Sequence, residues 1–343
     1  MKNKRHSIKD IASELKVSIT TVSFVLNGKA KEKRISDEVA AKILKYTDEI
    51  NYKPNQLAQS LRTGKTHILV FMVEDISNYF FSKIARIIED IAYKKGYKVL
   101  FCSNENNDER SRELIQLFYE RQVDGFIIIP SPGIKDQIQM LIENKIPVVL
   151  FDRFFPDLET NYVILDNQNA TYKGTLHLME SNFKKIGFIT VDVAQTQMVD
   201  RLKGYQKALR ENGLEEYVLK IPFNETGSKS GKKLFLEFIK ENPDLDAVFF
   251  STNYLTQVGL EVIQEKFPQK VYEFGIITFD DNDLFKIYTP SISAVAQPLE
   301  KIGKELMNIM FDLLESGAEK KPLHKVVLEA KLKVRNSSKA GIL

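Results

Sequence analysis

The sequence predicts a small all-α headpiece followed by an α/β body of two lobes, each a doubly wound parallel sheet. Three observations predict it. Short apolar stripes recur at helical spacing within residues 8–50, and from His67 onward strand-sized apolar runs alternate with amphipathic helical segments. Charge also divides along the chain. Residues 1–65 carry 14 Lys/Arg against 7 Asp/Glu, and since all 343 residues together stand at +3, the remainder stands at −4. A basic module ahead of a mildly acidic body implies a polyanionic partner for the module.

In the headpiece, Ser7 and Asp10 have the spacing of a capping pair, and Ile8, Ile11, Ala12 and Leu15 form one apolar face behind them. Lys16-Val17 makes a tight connection, Ser18 caps a second helix, and Gly28 ends it. Val22, Val25 and Leu26 face inward there, while Ile19, Thr20, Ser23, Phe24 and Asn27 fall on the other side. Ser36 caps a third helix with Val39, Ile43, Tyr46 and Ile50 on its core face. Two short helices joined by a short turn and braced by a third make a helix-turn-helix, whose second helix fits the major groove of DNA. Ile19 and Phe24 are apolar side chains on the outer face, suited to thymine methyl groups or, for Phe24 equally, to covering the headpiece core.

Pro54 then stops the third helix, Asn55 can cap another, and Gly64 ends it. So short a helix folds only against a partner or on DNA. Leu61 is placed to wedge between base pairs from the minor groove, with Arg62 on phosphate or groove.

The body alternates through strand 68–73, helix 81–95, strand 97–102, helix 109–121, strand 126–130, helix 135–144 and strand 148–151. A second series runs helix 170–181, strand 186–191, helices 199–212 and 230–240, strand 247–250, helix 257–266 and strand 274–279. A strand at 292–296, a helix at 301–315 and a last strand-like run, Val326–Val334, follow. Lobe 1 is expected at about 66–165 and 292–320, lobe 2 at about 166–291 and 321–335. Few residues follow the last run, which favours a dimer over a tetramer.

The run IKDIASELKVSITTVSFVLNG, with NYKPNQLAQSLRTG behind it, resembles the headpiece and hinge of the lactose-repressor/galactose-repressor family of bacterial regulators. The resemblance implies a headpiece at 1–53, a hinge at 54–65, and a core at 66–343 with the periplasmic-binding-protein-like fold, dimeric, with an effector between its lobes. By position, Ile19, Thr20 and Phe24 match the family's base-reading residues, Thr21 and Asn27 its supporting or phosphate-contacting ones, and Leu61 its minor-groove lever. Ser18, beside them, and Arg62 complete the DNA-contacting set. Family members usually carry a polar or basic side chain where Phe24 stands, so the operator sequence is not implied. Asn78, Tyr79, Phe80, Asp152, Arg153, Arg201, Asn253 and Asp280 fall at its ligand positions. This mixture of rings, carboxylates, amides and guanidinium groups suits a sugar. A nucleobase or a phosphorylated metabolite is the alternative effector.

Other classes find little support. No Gly-x-Gly occurs, so the dinucleotide fingerprint is missing, and Gly64-Lys65-Thr66 lacks the upstream glycine of a phosphate loop. Four dispersed histidines and the single Cys102 offer no metal-ligand spacing and no disulfide, so neither cofactor nor metal is expected. An α/β enzyme is therefore disfavoured. A transported sugar-binding protein would share the body, but it would need an export signal, which MKNKRHSIKD does not resemble, and it would have no use for a DNA-reading headpiece. The expectation is a cytoplasmic homodimeric repressor that binds a near-palindromic DNA operator and not a membrane.

Overall fold

The computed structural model describes residues 6–52, 64–316 and 322–339. Leu61 and Arg62, and with them most of the expected hinge, lie outside the described residues. The chain forms two compact units, Met1–Thr66 and His67–Leu343.

The first unit contains α1 (Ile8–Leu15), α2 (Ile19–Leu26) and α3 (Asp37–Glu49). Each starts on a serine whose hydroxyl accepts a backbone N–H of the first turn. At α1 the box is reciprocal: Asp10 N donates to Ser7 Oγ at 3.2 Å, and Ser7 N donates to Asp10 Oδ2 at 2.8 Å. Lys16, left-handed at φ 54°, closes α1, and Gly28 at φ 72° follows α2. Ile11, Ala12, Val22, Val25 and Ile43 make a small common core, with Val39, Tyr46 and Ile50 of the predicted α3 face packed on it.

In the second unit, β1 (Ile68–Val73), α4 (Tyr79–Lys94), β2 (Lys98–Ser103), α5 (Asp108–Glu120), β3 (Gly125–Ile128), α6 (Lys135–Glu143), β4 (Val148–Phe151) and β5 (Asn161–Leu165) build one lobe. The second lobe repeats the plan with α7 (Asn167–Glu180), β6 (Ile186–Asp192), α8 (Thr196–Glu211), β7 (Tyr217–Pro222), α9 (Lys229–Glu241), β8 (Ala247–Phe250), α10 (Asn253–Lys266), α11 (Lys270–Glu273), β9 (Gly275–Phe279), α12 (Asp283–Ile287) and β10 (Ser293–Ala296). Then come α13 (Leu299–Ser316), β11 (Lys325–Leu328) and β12 (Lys331–Lys333). The sheets run β2-β1-β3-β4-β5-β11 and β7-β6-β8-β9-β10-β12, all neighbours parallel except β12, which is antiparallel to β10. In this doubly wound order the first strand lies inside, and ligands bind beyond the carboxyl ends of the strands near it. The central strands are covered on both faces, as continuous apolar runs require. Leu69, Phe71 and Val73 of β1 enter one core, Val70 and Met72 another.

The lobe boundaries differ from the expected ones in two places. The strand near 292–296 was expected in lobe 1, yet β10 pairs in parallel with β9, just as β5 pairs with β4. It completes the second sheet before the chain crosses back to α13, which packs on α4, β3, β4 and β5. The run Val326–Val334 is two strands and not one. β11 joins β5 in the first sheet, and β12, two residues later, joins β10 in the second. The alternation also passed over β5 and β7. Among the described residues no helix is long and apolar enough to cross a membrane.

Glycine matters most where α8 crosses α7. A Cβ on Gly204 would collide with the Gln168 carbonyl oxygen and stand 2.9 Å from Tyr172 N, both backbone atoms that cannot turn aside. Gly204→Ala should therefore destabilise the body by about 2–3 kcal/mol through overpacking. Gly213→Ala, where nothing lies within 4 Å but φ is 64°, should cost only about 1 kcal/mol of backbone strain. Chemical denaturation of both variants checks the ranking.

Candidate functional site

The outer face of α2 is assembled from the bottom by its cap. Ser18 Oγ accepts from Thr21 N at 2.9 Å, and the Ser18 and Thr21 hydroxyls lie 2.8 Å apart. This bond pair fixes where the helix begins and leaves Ile19 and Thr20 in the first turn, both exposed, Ile19 by 50%. Asn27, also exposed, turns its amide back to donate to Ser23 O at 2.6 Å. Phe24 is half-buried and is not among the side chains packed on the headpiece core. Its ring instead lies 5.6 Å from the Lys33 ammonium. An exposed Ile and a half-buried Phe beside a lysine leave apolar surface on an uncharged helix within a basic unit. Sequence reasoning passed over the run Lys29, Lys31, Lys33 and Arg34, exposed after α2. Its signal was plain: four cations within six residues beside the outer helix face.

In the body, the strand ends of the two lobes face a cavity of ≈ 710 Å³. Of the eight expected ligand residues, Asn78, Tyr79 and Asn253 line it. Asn78 caps α4 and Asn253 opens α10, and their amides pair reciprocally across the lobes at 3.0 and 3.3 Å. Tyr79 donates its phenol to Asp283 Oδ2 of the other lobe at 2.8 Å. Phe80 does not face the cavity. It is buried in the core, with its ring 5.1 Å from that of Phe81 and 5.8 Å from that of Phe151. The helical turn that aims Tyr79 at the cleft aims its neighbour inward.

The other four form a charged layer adjoining the cavity. Arg153, 3% exposed, donates to Glu74 Oε2 at 2.8 Å and to Asn106 Oδ1 at 3.2 Å, and Gln195 of the second lobe donates to the same Asn106 oxygen at 2.7 Å. Arg201, 2% exposed, donates to Asn167 Oδ1 at 2.9 Å and to Ser251 O at 2.7 Å, and its guanidinium lies 3.6 Å from the Phe279 ring centroid. Asp280 accepts from Gln297 at 2.6 Å. Arg153 Nε and Ser251 Oγ are buried without a protein partner and so are open to a water or a ligand. Burial raises the Asp152 carboxyl, against the opposing pull of Arg201 and Arg153, and raises Glu74 against that of Arg153. Asp280 is pushed up to about 6 by burial, with Arg201 and the Gln297 bond opposing. Glu74, Asn106, Gln195, Tyr254 and Gln297 were missed. Glu74 directly follows β1 and was open to the same strand-end rule; Asn106 and Gln195 meet only through the fold.

Residues 7–55 match the family model for bacterial regulatory proteins of the lacI family, and residues 175–338 match that of a periplasmic binding protein-like domain. Curated relatives include the HTH-type transcriptional regulator RegA of Clostridium saccharobutylicum, 29% identical over 334 residues, covering 97% of this chain and 99% of RegA. The ribose operon repressor of Halalkalibacterium halodurans is 29% identical over 339 residues, covering 98% of each. Among solved structures, the lac repressor dimer bound to operator and the anti-inducer ONPF shares the fold with TM-score 0.83 at 20% identity, over 98% of this chain and 100% of that one.

The raised Asp280 carboxyl has a consequence for stability. The folded body holds that proton more tightly than the unfolded chain does. Asp280 therefore opposes folding fully above about pH 6, and ceases to do so as pH falls below the unfolded value of about 4. Asp280→Asn should raise the unliganded body's melting temperature at pH 7.5, by at most about 3 kcal/mol of stability, and the gain should vanish by about pH 4. Thermal melts across that range check the sign.

Proposed function

The chain belongs to the lacI family of bacterial regulatory proteins and is a sequence-specific DNA-binding transcriptional regulator, and from this premise we propose how its residues divide the work. Residues 1–53 act as the DNA-reading headpiece, 54–65 as the hinge and 66–343 as the effector-binding and dimerisation core. The protein works in the cytoplasm as a homodimeric repressor without catalytic activity, one headpiece on each half-site of a near-palindromic operator. The observation that carries the DNA assignment is the outer face of α2, capped at Ser18 with Ile19 and Thr20 exposed, within a unit of positive charge. Ile19, Thr20 and Phe24 contact bases. Ser18, Thr21 and Asn27 secure the backbone and the helix start, with Lys29, Lys31 and Arg34 adding phosphate contacts. Leu61 wedges the minor groove at the operator centre beside Arg62.

The effector is a carbohydrate held between the lobes. Asn78, Tyr79 and Asn253 meet it in the cavity, and Asp152, Arg153, Arg201 and Asp280 supply planar hydrogen-bonding groups behind them. The relatives include a ribose operon repressor, and a CelR–cellobiose complex shares the fold at TM-score 0.68 and 23% identity, over 97% of this chain and 100% of that one. A sugar that prefers one closure of the lobes shifts the population of operator-competent dimers by its differential affinity and no more.

Binding to a selected duplex should weaken steeply as salt rises, because each phosphate contact releases counterions. A flat salt response would remove the DNA assignment. Ile19→Ala should cost about tenfold in affinity for the preferred duplex with no change in melting temperature, since the side chain is half exposed. Leu61→Ala should lose specific binding while non-specific binding persists; equal loss of both would make the hinge merely electrostatic. Anisotropy titrations on specific and scrambled duplexes separate these outcomes.

A further inference from the structure

The cavity between the lobes carries charge information that the assignment of a carbohydrate does not use. Three carboxylates line it, Glu74, Asp75 and Glu105, against one cation, Arg110. That cation is already committed, its Nη1 lying 2.6 Å from Glu105 Oε1. Asp75 accepts from the backbone and hydroxyl of Ser77, both at 2.8 Å. The layer behind adds no positive surplus. Arg153 is paired with Glu74, and Arg201 lies in the field of both Asp152 and Asp280. Three helices begin at the cavity, and helix N-termini favour anions. Yet cap side chains take up leading amides at each: Asn78 Oδ1 accepts from Phe80 N at 3.0 Å, Thr252 Oγ1 from Leu255 N at 3.3 Å, and Asn282 Oδ1 from Leu284 N at 3.0 Å.

The remaining lining is suited to hydroxyls. The amides of Asn253, Gln257 and Asn282 each keep a donor and an acceptor for a ligand, Asn78 keeps a donor beyond the bonds it already makes, and Phe223 and Tyr79 supply rings for a sugar's C–H faces.

We propose that this cavity selects against anions, and that its effector is an uncharged or amino-bearing sugar, not a sugar phosphate or a uronic acid. The inference rests on the assignment of the cavity as the effector site. Glu74 and Glu105 are each paired with an arginine, Arg153 and Arg110, so the net charge of the wall rests on Asp75, and bringing a phosphate or carboxylate beside it sets like charges together where low dielectric strengthens their repulsion. An ammonium on the sugar meets the opposite field.

The test titrates the full-length protein with maltose, cellobiose, lactose and deacetylated chitobiose, with the 6′-phosphates of the first three, with digalacturonate, and with glucose and galactose. Thermal shift and calorimetry supply the readouts. The tightest ligand should be a neutral or amino sugar, with its phosphorylated counterpart weaker by about tenfold or more. Raising ionic strength from about 0.05 M to about 0.5 M should narrow that gap as the repulsion is screened. Glu105→Gln should narrow it further, because removing that carboxylate also releases Arg110 to meet an anion. A phosphate or uronate that binds as well as or better than the neutral sugar overturns the inference and leaves the carbohydrate assignment standing. No binding by any of these sugars, or binding that Asn78→Ala and Asn253→Ala together leave intact, overturns the assignment of the cavity itself.

Discussion

The Arg201 guanidinium, buried where the two lobes meet, is the interaction on which the body's function depends. A charge so enclosed is costly unless nearly every donor finds a partner. Arg201 offsets part of that cost by donating to Asn167 and to the Ser251 carbonyl, stacking on Phe279, and lying in the field of Asp152 from the first lobe and Asp280 from the second. Those partners come from α7, from the ends of β4, β8 and β9, and hence from both sheets. The lobes cannot change their separation without changing the dielectric around this charge. A ligand that replaces water or protein partners there gains leverage over the whole body.

That leverage is doubled by an internal repeat. Phe151-Asp152 ends β4 and Phe279-Asp280 ends β9. Both aspartates take left-handed backbone, φ 66° and 71°, and both donate their N–H across to the next strand, to Val163 O at 3.1 Å and to Val295 O at 3.0 Å. A non-glycine residue in that region is uncommon, with Asp among the side chains that tolerate it. The same strained turn, used once in each lobe, brings two carboxylates toward a common centre. Loss of water raises both, and the Asp152 charge adds a smaller push to Asp280. The unliganded cleft thus stores unfavourable electrostatics that hydrogen-bonding hydroxyls can relieve. The reciprocal Asn78–Asn253 pair is the complementary element, a neutral bridge at the cavity that a polyhydroxylated ligand can imitate group for group.

The headpiece works on different physics. Its core is five buried side chains and is small for an independent unit, so the serine caps on all three helices matter in proportion. The outer face of α2 contributes almost nothing to that core, which is why it can be devoted to recognition. Phe24 shows the division most clearly: a large ring at a position where the fold does not require one, shielded by Lys33.

What the sequence determined by itself was everything set by short-range periodicity and capping. Ser7, Ser18 and Ser36 announced the three headpiece helices, Gly28 the end of the second, and continuous apolar runs the central strands. These signals act within a few residues, so they survive being read in isolation. Strand-end positions such as Asn78, Asp152 and Asp280 were legible for the same reason, since a doubly wound sheet always presents those ends to its cleft. Tertiary structure alone decided which sheet receives a strand. Ser293–Ala296 and Lys325–Leu328 each had two sheets open to them, and their places follow from hydrogen-bond pairing with β9 and β5, partners that no local pattern names. It alone turned Phe80 into the core, joined Asn106 to Gln195, and set Glu74 on Arg153. These are meetings of residues far apart in the chain, selected by the burial of charge and apolar surface over the whole molecule, and burial is a property of the folded body and not of any segment of it.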